Sequence, residues 1–163
     1  MRMKQVSIGV DIGESGVKLI QCAGGEMRRV VSEPLPENLT RDGHVLSTEA
    51  MGAFLKETAA KHHITGRRCA LVVPSSQSFT RRTVMPAMTV EQLKVNLPYE
   101  FRDYISQEKE KYVYDYALLE MTCNEDGTPQ QMELMITAAL KSTMQEYRDM
   151  FRQAGLRLVL AAP

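Results

Sequence analysis

Six residues near the start of the chain carry the clearest chemistry: Asp11, Gly13, Glu14, Ser15, Gly16 and Lys18. They bring a carboxylate, a run of small residues and a cation into one short reversal. Glycine at 13 and 16 permits backbone with φ > 0 and close approach to a ligand. Successive N–H groups in such a turn form a concavity suited to an anion. The Lys18 ammonium adds a compact positive charge for phosphate oxygens. Asp11 repels a bare phosphate, so its presence calls for a cation between the two. Mg²⁺ fits, because it keeps several waters and is commonly held by one carboxylate together with phosphate oxygens. The expected chemistry is binding of a Mg²⁺-phosphate group, with Asp11 reaching the metal through water. The same spacing also suits an ordinary hairpin with a surface Asp and Lys.

The flanking residues show how such a set is positioned. Val6, Ile8 and Val10 alternate with Ser7 and Gly9, and Val17, Leu19 and Gln21 alternate with Lys18, Ile20 and Cys22. Both stretches have strand periodicity. The pattern Asp-x-Gly-x-Ser-x-x-Lys thus lies in a strand-turn-strand context, which excludes a Walker A loop. It resembles the first phosphate loop of the actin and hexokinase superfamily.

Composition narrows the remaining possibilities. The chain of 163 residues is 44% hydrophobic and 25% charged, as a globular protein is. Twenty basic residues balance twenty acidic ones, which argues against a general affinity for nucleic acid or an anionic membrane. Cys22, Cys69 and Cys123 are far apart and odd in number, and read as buried thiols of a reducing cytoplasm. His62 and His63 are adjacent at the expected end of a helix, where a partly cationic side chain suits the dipole. No apolar run approaches the roughly 18 residues of a membrane span, and the start shows no signal peptide.

Along the chain, Met27 to Glu33 completes a three-stranded antiparallel meander. Ser47 as N-cap and the spacing of Met51, Phe54, Leu55, Thr58 and Ala59 predict a helix over Thr48 to His63. Arg68 to Pro74 is expected as a buried strand, parallel to the first with that helix as crossover. From Ser75 the order is strand (79–85), helix, strand (112–121), strand (131–140), helix and strand (156–162). That is a ferredoxin-like βαββαβ arrangement. Thr89 to Gln92 and Ser142 to Gln145 read as capping boxes. Pro98 is expected to kink the first of these helices.

Several segments together resemble the PilM family of actin-like type IV pilus assembly proteins, and more distantly the cell-division protein FtsA. They are I-G-V-D-I-G-E-S-G-V-K at residues 8–18, A-L-V-V-P-S at 70–75 and V-M-P-A-M-T-V-E-Q-L at 84–93. Y-E-F-R-D-Y-I at 99–105 and Y-R-D-M-F-R-Q-A-G-L at 147–156 complete the set. The resemblance implies a mixed α/β (α+β) chain: the N-terminal lobe of an actin-like, ribonuclease H-like fold at residues 1–74, with an inserted ferredoxin-like subdomain at 75–163. It implies ATP and Mg²⁺ as cofactors, contacted by Asp11, Gly13, Ser15, Gly16 and Lys18. No second Asp-x-Gly with the spacing of a second phosphate loop occurs, so the expectation is half of a nucleotide site on part of a longer protein. The implied function is a cytoplasmic scaffold at the inner face of the membrane, at most a weak ATPase, serving pilus assembly and twitching motility. Its implied partners are the cytoplasmic N-terminal tail of a PilN-like protein and other inner-membrane platform proteins. A phosphotransferase of the sugar-kinase branch and an FtsA-like scaffold are the alternatives. A kinase needs a general base near the acceptor hydroxyl, and no Asp or Glu stands out as one.

Overall fold

A computed structural model describes residues 6–106 and 108–163. The chain divides into two compact units. The first takes the chain up to Gln77 and again from Thr143 to Pro163, and the second is Ser78–Ser142.

The first unit begins with the expected meander, β1 (Val6–Ile12), β2 (Gly16–Ala23) and β3 (Glu26–Pro34). A two-residue pair follows, β4 (Thr40–Arg41) and β5 (His44–Val45), then α1 (Thr48–Lys61) and β6 (Arg68–Val72). The Ser47 hydroxyl accepts from the Ala50 N–H, which caps a first-turn donor that has no partner inside the helix. β6 pairs parallel to β1, and α1 supplies the crossover that a parallel pair requires. Alternate residues Ile8, Val10, Val17, Leu19, Cys69 and Leu71 are buried on one face of this sheet. Met51 and Leu55 of α1 join them in one apolar cluster. Each such side chain contributes about 1.5–3 kcal/mol relative to an exposed position.

The second unit contains β7 (Ser78–Pro86), α2 (Val90–Asn96), β8 (Tyr112–Cys123) and β9 (Pro129–Leu140). Its strands form an antiparallel sheet in the order β7-β9-β8. Leu93, Leu97, Phe101 and Ile105 pack on Met85, Met132, Leu134 and Ile136 as a separate core. The Thr89–Gln92 capping box is formed in both directions. Pro98 does not kink a continuous helix. α2 ends at Asn96, and a 3₁₀ turn, Leu97–Phe101, starts there with Pro98 in its first two positions. A residue without an N–H is at no disadvantage at such a position.

The chain closes with α3 (Lys141–Gln153) and β10 (Arg157–Ala162), and here the structure departs from the expected subdomain 75–163. β10 pairs parallel to β6, giving a five-stranded sheet in the order β10-β6-β1-β2-β3. Tyr147, Met150 and Phe151 of α3 are buried in the core of that sheet. The inserted part is therefore βαββ, and the second helix and last strand complete the first unit. The reason lies in a face that strand order alone cannot reveal: the apolar stripe of α3 matches the face that α1 covers. At Gly52 the two helices approach so closely that an added Cβ would stand 3.0 Å from the Met150 carbonyl oxygen. α3 also begins at Lys141, so Ser142 lies within its first turn rather than at the cap.

The cysteines divide. Cys69 is buried, and burial pushes its thiol up to about 12, whereas Cys22 is half-buried and Cys123 is exposed. Cys123 is the last residue of β8, beside the turn of the β8-β9 hairpin.

Candidate phosphate-loop site

β1 and β2 place Asp11 and Lys18 directly opposite each other. Their neighbours Val10, Ile12, Val17 and Leu19 point into the core, so the period of two turns Asp11 and Lys18 to the other face. Lys18 Nζ lies 3.7 Å from Asp11 Oδ2, and the two side chains are 65% and 45% exposed. A pair this open to water is worth roughly 0–1 kcal/mol. Its groups remain available to a ligand at little cost to the fold.

The reversal between the strands is fastened by three hydrogen bonds. The Gly13 N–H donates to the Gly16 carbonyl at 2.9 Å, and the Leu35 N–H donates to the Ser15 carbonyl at 3.0 Å. The Thr40 hydroxyl donates to the Glu14 carbonyl, also at 3.0 Å. The Gly13 N–H is thus used inside the loop rather than presented to an anion.

The two loop glycines are needed for a different reason from the one expected. Neither Gly13 nor Gly16 has a positive φ. A Cβ at Gly13 would meet the Gly16 carbonyl oxygen at 3.2 Å, and one at Gly16 would meet the Glu33 carbonyl oxygen at 3.1 Å. Close approach of backbone to backbone, not left-handed conformation, demands glycine here.

Five of the six expected residues line one open hollow of about 300 Å³: Asp11, Gly13, Ser15, Gly16 and Lys18. Glu14 is not among its lining; it serves the loop through its carbonyl. Ser32, Glu33 and Pro34 complete the wall. Ser32 stands opposite Lys18 on the next strand, so Asp11, Lys18 and Ser32 form a row across three strands.

Glu33 ties this wall to the far end of α1. Its carboxylate accepts from Lys61 Nζ at 2.6 Å and lies 2.7 Å from His62 Nε2. The Lys61 hydrogen bond first, and His62 second, hold its carboxyl below the usual 4.5. Arg29 donates to the His62 carbonyl, so β3 satisfies both a side chain and an end carbonyl of the helix.

Among the described residues no group of three or more His, Cys, Asp or Glu side chains could hold a metal ion. A Mg²⁺ here would rest on Asp11, with water and phosphate oxygens filling its other positions. That is how this cation is commonly held, and the exposed Asp11 carboxylate beside the Lys18 ammonium suits a Mg²⁺-phosphate group. No helix among the described residues is long and apolar enough to cross a membrane.

Comparison with known proteins concerns the fold and the family. The chain is similar over 99% of its length to a protein of the PilM-PilN type IV pilus biogenesis complex, with a TM-score of 0.81 and 22% identity. It is also similar to the cytoplasmic domain of EpsL, an inner membrane component of the type II secretion system of Vibrio cholerae. That match covers 97% of the chain with a TM-score of 0.60 and 12% identity. A Bacteroides thetaiotaomicron protein described as having an actin-like ATPase fold and unknown function gives a TM-score of 0.45 at 14% identity, covering 98% of this chain and 53% of that one. The chain spans about half of the first two, 48% and 57% of their lengths. No curated protein matches it. The fold is the mixed α/β fold shared with the protein of the PilM-PilN complex. The family model for the type IV pilus assembly protein PilM matches residues 9–161, and the chain belongs to that family.

Proposed function

We propose that this chain is the phosphate-binding lobe of an actin-like scaffold of type IV pilus assembly. In this reading it takes up Mg²⁺-ATP and engages the cytoplasmic N-terminal tail of a PilN-like inner-membrane protein. It works at the cytoplasmic face of the inner membrane, beside other platform proteins of the pilus machine. The observation that carries the reading is the row Asp11, Lys18 and Ser32 beside a glycine-cradled reversal. A carboxylate for a hydrated Mg²⁺ and a cation for phosphate oxygens stand together above one open hollow. Family membership supports the pilus role, and the name of the structurally similar PilM-PilN complex supports the choice of partner.

Two measurements test this. Titrating Mg²⁺-ATP, followed by NMR so that weak binding is read, should shift resonances of residues 11–18 and 32–34. The open site should hold nucleotide more weakly than about 10 μM, because two charges about 4 Å apart gain only about 1 kcal/mol in water. Asp11→Ala or Lys18→Ala should weaken binding about fivefold, the equivalent of about 1 kcal/mol, with little change in melting temperature. Unchanged binding in both variants would refute the site. Calorimetric titration of the cognate PilN tail peptide should give micromolar affinity, since ordering a flexible tail opposes binding. No heat at millimolar peptide would refute the partner.

A further inference from the structure

An arginine cluster lies at one end of the first unit, away from the phosphate loop in sequence and separate from its hollow. Arg148 and Arg152 are one helical turn apart on α3 and line a hollow of about 460 Å³ together with Gln145, Leu156, Arg157 and Leu158. Arg157 opens β10 and stands opposite Arg68 at the start of β6. Its N–H donates to the carbonyl of Arg67. All five arginines are exposed. Arg152 has a carboxylate partner, Asp149 at 2.9 Å, and Asp149 also accepts from Gln145. Among the described residues no carboxylate pairs with Arg67, Arg68, Arg148 or Arg157. Two of the three arginines that line the hollow, Arg148 and Arg157, thus have no carboxylate partner among the described residues, and Arg68 stands beside Arg157 on the neighbouring strand. Such a patch repels itself unless something anionic occupies it.

We propose that this hollow is a docking surface for an acidic peptide segment of a protein partner. Three features select that occupant. Every cation is arginine, whose planar fork binds carboxylates in bidentate fashion and is less strongly hydrated than an ammonium. The surface is concave, which suits a chain segment better than a flat bilayer. Leu156 and Leu158 are half-buried, line the same hollow and offer apolar contact to the side chains between the acidic ones. The anchoring is through side chains rather than by adding a strand, because the β10 ladder is interrupted by a register shift between Leu158 and Leu160. A bulge of this kind blunts a sheet edge.

The test uses the 163-residue chain and a fluorescent twelve-residue peptide rich in Glu and Leu, with a Gln-for-Glu peptide and phosphatidylglycerol vesicles as separate arms. The acidic peptide should bind, more weakly as salt rises, and the Gln peptide should not. The double variant Arg148→Glu with Arg157→Glu should weaken binding at least tenfold. A control with the same charge change, Arg28→Glu on β3 at the opposite sheet edge with Lys94→Glu in the second unit, should bind as the parent does. Circular dichroism melting should show both variants folded, and the single changes Arg148→Gln and Arg157→Gln should each give a smaller loss. Equal losses in the patch and control variants would overturn the proposal. So would vesicle binding that depends on Arg148 and Arg157 without peptide binding.

Discussion

The tight contact at Gly16 permits a sharp test of how the phosphate loop is built. Gly16 pairs with Pro34, and a Cβ there would face the Glu33 carbonyl oxygen at 3.1 Å and the Pro34 Cα at 3.8 Å. Ordinary van der Waals contact begins at 3.4 Å, so Gly16→Ala requires a retreat of a few tenths of an ångström. β3 is poorly placed to give way, because the Glu33 side chain is held by Lys61 and His62. The loop must move instead. Overpacking of this kind costs about 1–3 kcal/mol. Against it, alanine lowers the entropy of the unfolded chain by about 0.4–1 kcal/mol, since φ at Gly16 is not in the left-handed region. The net expectation is a loss of about 1 kcal/mol, or a fall of about 2–4 °C in melting temperature. The displaced loop should also bind Mg²⁺-ATP several-fold more weakly. Gly25→Ala is the contrast: φ is +83° with nothing within 4 Å of the added Cβ. Its cost is conformational, about 1–2 kcal/mol, and should leave nucleotide binding alone. Differential scanning calorimetry and nucleotide titration read both effects. A Gly16→Ala protein that melts no lower than the parent and binds nucleotide normally would refute the close-approach reasoning.

Three further outcomes are expected. The folded-state carboxyl of Glu33 ionises below the usual 4.5, so the stability it adds is complete above about pH 4.5 and is lost as pH falls through the lowered folded value. The melting-temperature gap between parent and Glu33→Gln should therefore shrink on acidification from pH 7 to 3, and a constant gap would contradict this. Gly52→Ala sets a helix-propensity gain of about 1 kcal/mol against a Cβ 3.0 Å from a backbone oxygen of α3 and 3.2 Å from Gln153 Cβ. The clash should win, lowering the urea midpoint; a raised midpoint would show that α3 can yield. Pro98→Ala should change stability by less than about 1 kcal/mol and in the unfavourable direction, because no native hydrogen bond is restored in the first turn of a 3₁₀ helix. A large gain in stability by chemical denaturation would mean that Pro98 interrupts a longer helix.

Much of this protein was legible in order along the chain. Alternation of Ile8 and Val10 with Gly9 and Asp11 forces the latter onto the face away from the core, and the small residues after Ile12 close the reversal that brings Lys18 back opposite Asp11. Ser47 and the Thr89–Gln92 box mark helix starts through bonds to their own neighbours. All of these depend on contacts a few residues apart, so periodicity and side-chain chemistry suffice. The position of Ser32 in the site was not legible in this way. The two-residue turn at Gly24-Gly25 pairs Ala23 with Glu26 and Cys22 with Met27, a register that would set Lys18 against Val31. A shift between Gln21 and Cys22 moves it to Ser32, and that shift is settled by packing of Val31 into the core. The need for glycine at 16 arises from Glu33 on another strand, and the last strand joins β6 across 84 intervening residues (73–156) because α3 completes a core begun by α1. Local chemistry determined which elements form; which edge each takes, and which residues then face one another, only the three-dimensional packing of distant segments decided.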